Sequence, residues 1–344
     1  METQSHTVPS ISSLLTDNVD STNISNNTKI SVIIPTLNAE RELPNLLTSL
    51  HTQKQKPDEI IVIDSESNDH TVDICKQDQS VKLLQIKRKD FDHGRTRDMA
   101  FRNAIGDIVV FLTQDALPAN EDFLGKLIEP LLISSASQVY PQHKLREQEE
   151  QEEPHGIIAI STGRQLPKSD ATRTEQLIRT FNYPAISYIR SKADIPTMGI
   201  KTFFCSDVAA AYRRDVYLAL GGFDYPIKTN EDMFFAAKAI NVGYRIAYVA
   251  EAKIFHSHNL SLREQYRRNY VIGYEIERHK DILNKILGLN REVARLVTYV
   301  SKGLLKHGHV INWLLFVFDC VSRLFGNKMG QKKYKQEVKR HTRL

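Results

Sequence analysis

The sequence predicts an α/β fold, a doubly wound mixed sheet followed by a helical C-terminal extension. Three observations carry this. Apolar strand-like runs alternate with helical patterns as far as Leu112, as expected when successive βα units feed one sheet. Ile108 to Leu112 is an unbroken run of β-branched, aromatic and other apolar residues, the pattern of a strand buried on both faces. Polar and acidic residues then cluster where such runs end, at the edge where open α/β sheets hold ligands.

Lys29 to Pro35 (KISVIIP) reads as the first buried strand, followed by the turn Thr36-Leu37-Asn38. A helix comes next, because Leu43, Leu46, Leu47 and Leu50 recur at i, i+3, i+4 and i+7. Glu59 to Asp64 is a second strand, ending in DSESNDHT and a short helix around Val72 and Cys75. Val81 to Ile86 is a third strand, Gly94 to Ile105 a helix and Ile108 to Leu112 the fourth strand. That strand stops at Thr113-Gln114-Asp115, with Pro118 and Asn120 preparing a helix from Glu121. The residues alone leave Asp115 as either a turn former or a ligand at the sheet edge.

Between Ser134 and Gly156 the pattern gives way to glutamate-rich, aperiodic sequence, the mark of a solvated surface insertion over 134–155. Gly156 to Ser161 is a strand; from Ser161 to Asp207 the chain reads as irregular and polar-aromatic. A helix ending at Leu220 is stopped by Gly221 and Gly222, and another opens at Glu231-Asp232, with Met233, Phe234, Ala237 and Ile240 turned inward. The two acids suit a helix N-terminus, either for the dipole alone or for chemistry. Tyr244 to Ala250 is a strand leading to His256 and His258, which alternate and so face one side in extended chain, a spacing able to hold a metal.

Composition narrows the class. With 41% hydrophobic and 25% charged residues among 344, the chain has the make-up of a folded globular protein with one large core and an appendage. Cys75, Cys205 and Cys320 are odd in number and far apart, which fits neither a disulfide framework nor a metal cluster and suits a reducing cytoplasm. No secretory signal and no apolar run of about 20 residues is evident. Residues 1–28 are rich in Ser, Thr and Asn and are expected to be disordered. Basic residues gather in a tail, with eight Lys or Arg from Arg323 onward against Glu337 alone. The body lacks the basic-aromatic face of a nucleic-acid binder, so no nucleic-acid partner is expected.

Taken together, PTLNAE (Pro35 to Glu40), DSESNDHT (Asp64 to Thr71), DFDHGRTRD (Asp90 to Asp98), FLTQDALP (Phe111 to Pro118), the GGFD and NED pieces and AKIFHSHN (Ala252 to Asn259) resemble bacterial family 2 glycosyltransferases of the rhamnosyltransferase branch. The likeness runs in unbroken order over about residues 29 to 275, and GNKMGQ (Gly326 to Gln331) also resembles the end of that branch. It implies a GT-A catalytic domain over 29–258 and a helical C-terminal region over 259–344. By resemblance, Pro35, Thr36, Asn38, Glu40 and Asp64 border the nucleoside of a nucleotide-diphosphate sugar donor. His93, Gly94, Arg95 and Arg97 stand at a helix start suited to the diphosphate, and Gln114 and Asp115 also bind the donor. Asp115 matches the last acid of the DxD metal motif, whose first acid is Thr113 here. With His256 it would hold Mg²⁺ or Mn²⁺. Asp232 is the implied general base, oriented by Glu231. Asp98 and Asp207 stand where relatives usually carry Asn, leaving their hydrogen bonding open.

The resemblance implies inverting transfer of a sugar, L-rhamnose from dTDP-rhamnose foremost, to a hydroxyl of a polysaccharide or lipid-linked acceptor. Other dTDP- or UDP-sugars fit the same motifs. A nucleotidyltransferase would need a glycine-rich first loop that PTLNAE lacks, and a non-catalytic glycan-binding module would not need Asp64, Asp115 and Asp232. Val310 to Phe318 (VINWLLFVF) is apolar but for Asn312, and with the basic tail behind it is expected to place the protein peripherally on the inner face of the cytoplasmic membrane. The other reading is a helix packed against the catalytic domain or a second copy.

Overall fold

The computed structural model describes residues 28–135, 156–283 and 289–341. The expected disordered segment, apart from Thr28, and the glutamate-rich insertion, apart from Ser134 and Ser135, lie outside them. The sheet is built from β1 (Ile30–Thr36), β2 (Glu59–Asp64), β3 (Val81–Gln85), β4 (Ile108–Leu112), β5 (Leu117–Pro118), β6 (Ile158–Leu166), β7 (Tyr188–Arg190), β8 (Ala209–Arg213) and β9 (Arg245–Phe255). Its order is β3-β2-β1-β4-β8-β6-β9-β5, with β7 also on β9. Strands β1 to β4 run parallel; β8 is antiparallel to both β4 and β6, and β9 lies parallel to β6. The carboxyl ends of β1, β2, β4, β6 and β9 therefore share one edge with the start of β8.

Each face of the sheet buries its own core. Helices Leu43–His51 and Phe123–Ser135 cover one, where Leu43, Leu46, Leu47 and Leu50 meet Val110, Leu127 and Val249. Helices His93–Asn103 and Glu231–Asn241 cover the other, where Phe101, Phe111, Tyr212 and Phe235 interlock. Side chains of a two-faced strand alternate between these cores, which is why Ile108 to Leu112 reads as continuously apolar.

The stretch 161–207 is more regular than its sequence suggests. It holds the rest of β6, helix Arg173–Asn182 and β7. The helix was hidden because only Leu177 and Ile178 of it are buried apolar residues, while Thr172 caps it by accepting from the Glu175 N–H. Strand β8 was missed because its alanines have low strand propensity. They are selected by space, since Ala209, Ala210 and Ala211 lie fully buried between β4 and β6.

After β9 come helices Leu262–Arg278, Leu289–Leu305 and the 32-residue Val310–His341. The last corrects the expectation of no membrane-length segment: among the described residues it is the one helix long and apolar enough to cross a bilayer. Its GNKMG stretch packs closely on Leu262–Arg278, and a Cβ on Gly273, Gly326 or Gly330 would overlap backbone of the facing helix. Small residues at these crossings let the two backbones approach.

Candidate active site

The catalytic-type acids meet where β8 begins. Asp207 precedes β8, and its backbone N–H donates to Asp232 Oδ2 at 3.0 Å. Asp232 is the second residue of helix Glu231–Asn241, whose entry is set by Asn230 in a left-handed backbone (φ 66°). Asn tolerates that conformation better than most residues. Asp232 Oδ1 accepts from the Met233 N–H at 2.6 Å, so the carboxylate is pinned at both oxygens while the residue stays partly exposed.

Beneath it lies a buried ion cluster. Arg97 NH1 is 3.1 Å from Glu231 Oε1 and its Nε 3.3 Å from Asp207 Oδ2, while Tyr212 Oη donates to Asp207 Oδ1 at 2.5 Å. Burial would raise the Glu231 carboxyl, but Arg97 and His93 outweigh it and pull it down to about 2. Asp232 goes the other way: burial and the Glu231 charge push it up to about 7. Burial, with the Asp232 charge, likewise raises Asp207 well above the carboxylate range. Paired acids driven apart in this way are a signature of acid–base work.

A second cluster follows β4 and β9. Asp115 Oδ2 lies 3.4 Å from Nε2 of both His256 and His258, and the three ligand atoms fall within 4.8 Å of one another. Burial opposes ionisation of Asp115, yet the hydrogen bond to His256 and the two imidazoles hold it well below the usual carboxylate range. Burial lowers both histidines, which keeps their rings neutral and able to donate lone pairs. His256 Nδ1 contacts Gln165 Oε1 at 3.0 Å, an outer partner that fixes the ring. Gln165 Nε2 in turn donates to Ser206 Oγ, beside Asp207, so the two clusters share one edge.

The remaining predicted residues divide. Leu37 exchanges hydrogen bonds with the Gln114 amide, Asn38 (φ 52°) accepts from the Asn68 N–H and Glu40 from the His70 N–H, which together shape the loops after β1 and β2. Thr36 and Pro35 end β1 there. Asp64, expected to border the nucleoside, is buried at the end of β2 and accepts from Thr36 Oγ1 and from Ser67, tying these loops together. The start of helix His93–Asn103, the expected diphosphate site, is held by its own contacts. Asp92 caps that helix, accepting from the N–H groups of Arg95 and Ile227, and a Cβ on Gly94 would overlap the Asp224 carbonyl. Arg95 turns outward over Tyr225, Arg97 is buried on Glu231 and Asp207, and His93 borders Glu231 at 3.7 Å. Asp98 is structural, accepting from Tyr217 Oη and Arg102 Nε.

Sequence reasoning passed over Lys168, 3.8 Å from Asp115, and the role of Gln165. His258, paired with His256 by its alternation in the sequence, stands beside Asp115. Nothing local marks Lys168 or Gln165, because only the end of β6 brings them to this edge.

The Glycosyl transferase family 2 sequence model matches residues 31–221, more than half of the chain. The chain belongs to this family. A family 2 glycosyltransferase with a GT-A fold accounts for the parallel first half of the sheet and for the acids at its carboxyl edge. Among characterised relatives, it is 41% identical over 250 residues to an O-antigen chain rhamnosyltransferase of Salmonella typhimurium, covering 71% of each chain. It is 38% identical to an O-antigen chain rhamnosyltransferase of Salmonella anatum, over 88% of this chain and 89% of that one. The fold is shared with a mannosyltransferase of Pyrobaculum calidifontis in complex with GDP-Man and Mn²⁺ (TM-score 0.52, 15% identity, 88% of each chain). Divalent metals are common among such transferases. The Asp115, His256 and His258 donors fit one, being an oxygen and two neutral nitrogens with a fixed outer partner.

Proposed function

We propose that this glycosyltransferase moves L-rhamnose from dTDP-rhamnose, with inversion, to a hydroxyl of a cell-surface polysaccharide or its lipid-linked precursor in the cytoplasm. The observation that carries the reading is the partly exposed Asp232, raised toward neutrality above an ionised Glu231–Arg97 pair. In this reading the Asp232 carboxylate takes the acceptor hydroxyl proton as that oxygen attacks the anomeric carbon. The bond from that carbon to the diphosphate oxygen breaks on the opposite face, and dTDP leaves as the anion. Arg97 and Asp207 hold the base in place through Glu231 and the backbone. The choice of rhamnose rests on the two Salmonella relatives. Asp115, His256 and His258 would hold Mg²⁺ or Mn²⁺, which when bound neutralises the departing diphosphate.

The C-terminal helix supports a membrane-surface location. Ile311, Phe318 and Phe325 are exposed, and the same seven-residue spacing continues to Lys332 and Lys339. A seven-residue step returns to nearly the same face of a helix, drifting about 20° each time. One outward face is thus apolar in its first half and basic in its second. The opposite side is committed to protein: Phe316 packs with Leu177, Ile178, Val300 and Leu304. A helix held by protein along one side and apolar-then-basic along the other suits the interface between acyl chains and anionic headgroups.

Incubating the protein with nucleotide sugars and scoring nucleotide release with and without Mn²⁺ tests the reading. Release of dTDP from dTDP-rhamnose, faster with metal and acceptor, is expected. Turnover confined to another donor would overturn the rhamnose assignment, and release of nothing from any donor would overturn the transferase reading.

A further inference from the structure

A cleft of about 420 Å³ opens between helix Arg173–Asn182 and helix Leu289–Leu305, away from the Asp115 cluster. Four aromatic rings line it: Phe181, Tyr188, Phe204 and Tyr299. Phe181 and Tyr299 stand with centroids 5.5 Å apart. Lys201 Nζ lies 4.3 Å from the Phe181 ring centre and 2.8 Å from Glu292, which also holds Arg295 at 2.6 Å. The charged groups are therefore paired with one another, and Lys201 also lies over the Phe181 ring.

We infer that this cleft binds the acceptor glycan, placing sugar rings against its aromatic faces and their hydroxyls on Lys201, Glu292 and Arg295. Resting on the transferase reading above, the inference goes further in assigning the acceptor's location. Sugar rings carry C–H faces that fit the negative faces of aromatic rings and hydroxyls that replace water around fixed charges. A fatty chain would strip water from three charged side chains with nothing in return. A diphosphate would meet Glu292 beside the two cations, a poor match for its charge.

One wall of the cleft is also linked along the chain to the catalytic-type acids. Buried Arg190 donates to the carbonyls of Lys201 and Phe204, clamping the wall. Three residues beyond Phe204, the Asp207 N–H holds Asp232. A sugar lodged against Phe204 is thus held by the same stretch of chain that positions the base. On the far side, helix Leu289–Leu305 gives Tyr299 to the cleft and Ser301 to a hydrogen bond from Trp313 Nε1 of the apolar helix. One short helix therefore joins the cleft to the surface where a lipid-linked acceptor would be anchored.

The test uses the full chain with dTDP added and a methyl-capped rhamnose trisaccharide as the probe, followed by saturation-transfer NMR. Tyr299→Ala with Phe181→Ala removes two partly exposed rings outside the catalytic cluster, so hydrolysis of dTDP-rhamnose without acceptor should be unchanged and reports an intact fold. Saturation of sugar ring protons in the wild type, reduced at least fivefold in the double variant, is expected. The KM for acceptor should rise about fivefold to tenfold, the scale of lost aromatic contacts, with kcat retained. Trisaccharide saturation no greater in the wild type than in the double variant would overturn the assignment. Failure of the wild type to hydrolyse any donor would instead count against the transferase reading and leaves the NMR result to judge the cleft.

Discussion

The Asp207 backbone N–H and the Asp232 carboxylate are 3.0 Å apart, which fixes one carboxylate oxygen by main chain rather than by a side chain. The other faces the start of its own helix through Met233. Replacing Asp232 by Asn keeps the shape and removes the proton acceptor. Transfer should fall by about 10² to 10⁴, the usual loss for a general base. Steady-state rates with donor binding measured in parallel check this; a variant that transfers at the wild-type rate would remove Asp232 from the role.

The raised Asp232 group sets a pH dependence. Burial and the Glu231 charge push it up to about 7, and only the deprotonated form accepts a proton. As pH falls through that value the base is lost, so kcat/KM should drop about tenfold per unit below neutrality and level off above it. A kcat/KM profile flat down to pH 5 would show that Asp232 is already ionised in the free enzyme and is not raised toward neutrality.

Much of this architecture was legible beforehand, because strands buried on two faces leave continuous apolar runs and because β2, β4 and helix Glu231–Asn241 start or stop at strong polar signals. The motifs pointed to Asp115, Asp232, Glu231 and His256, and the fold brings these four to one sheet edge. What stayed hidden depended on three-dimensional closure. Asp207 looked like a loop residue until antiparallel β8 brought it beneath Asp232. Nothing local showed that Arg97 pairs with Glu231 and Asp207, or that Ser67 turns back onto Asp64.

Metal dependence should follow the three-residue donor set. His258→Ala removes one nitrogen from a site that has a single carboxylate, and since losing even a partner that orients a ligand costs about tenfold to a hundredfold in metal affinity, the loss should be at least tenfold. Titrating Mn²⁺ against activity, after chelation with EDTA, should give that shift for His258→Ala and a larger one for Asp115→Asn. Equal Mn²⁺ requirements in wild type and His258→Ala would exclude His258 as a ligand.

Packing of the C-terminal helix depends on glycine at its crossing. A Cβ on residue 330 would overlap the Tyr270 carbonyl, so Gly330→Ala must part the helices. Overpacking of this kind costs about 1 to 3 kcal/mol. Hydrogen exchange should speed up in Val310–His341 and Leu262–Arg278 while the sheet is unaffected; unchanged exchange would mean that the crossing can relax without loss.

The membrane reading is tested on the outward face, because removing the whole helix would also uncover Leu177, Ile178, Val300 and Leu304, which pack against Phe316. Phe318 and Phe325 are 59% and 58% exposed, and apart from the edge of Phe325 against Tyr266 at 5.9 Å, Phe318→Glu with Phe325→Glu leaves the buried packing of the helix in place. Both substitutions put negative charge where acyl chains and anionic headgroups would lie. Binding to phosphatidylglycerol-containing liposomes should fall at least tenfold, with donor hydrolysis in solution unchanged. Lys332→Glu with Lys339→Glu should weaken binding by a similar route, since each basic residue near an anionic surface contributes about 1 kcal/mol. That contribution should fade as salt is raised, whereas the phenylalanine contribution should persist, because only the electrostatic part is screened. If the phenylalanine variant binds liposomes as the wild type does but changes the sedimentation of the free protein, the face joins two copies of the chain and the membrane reading is wrong.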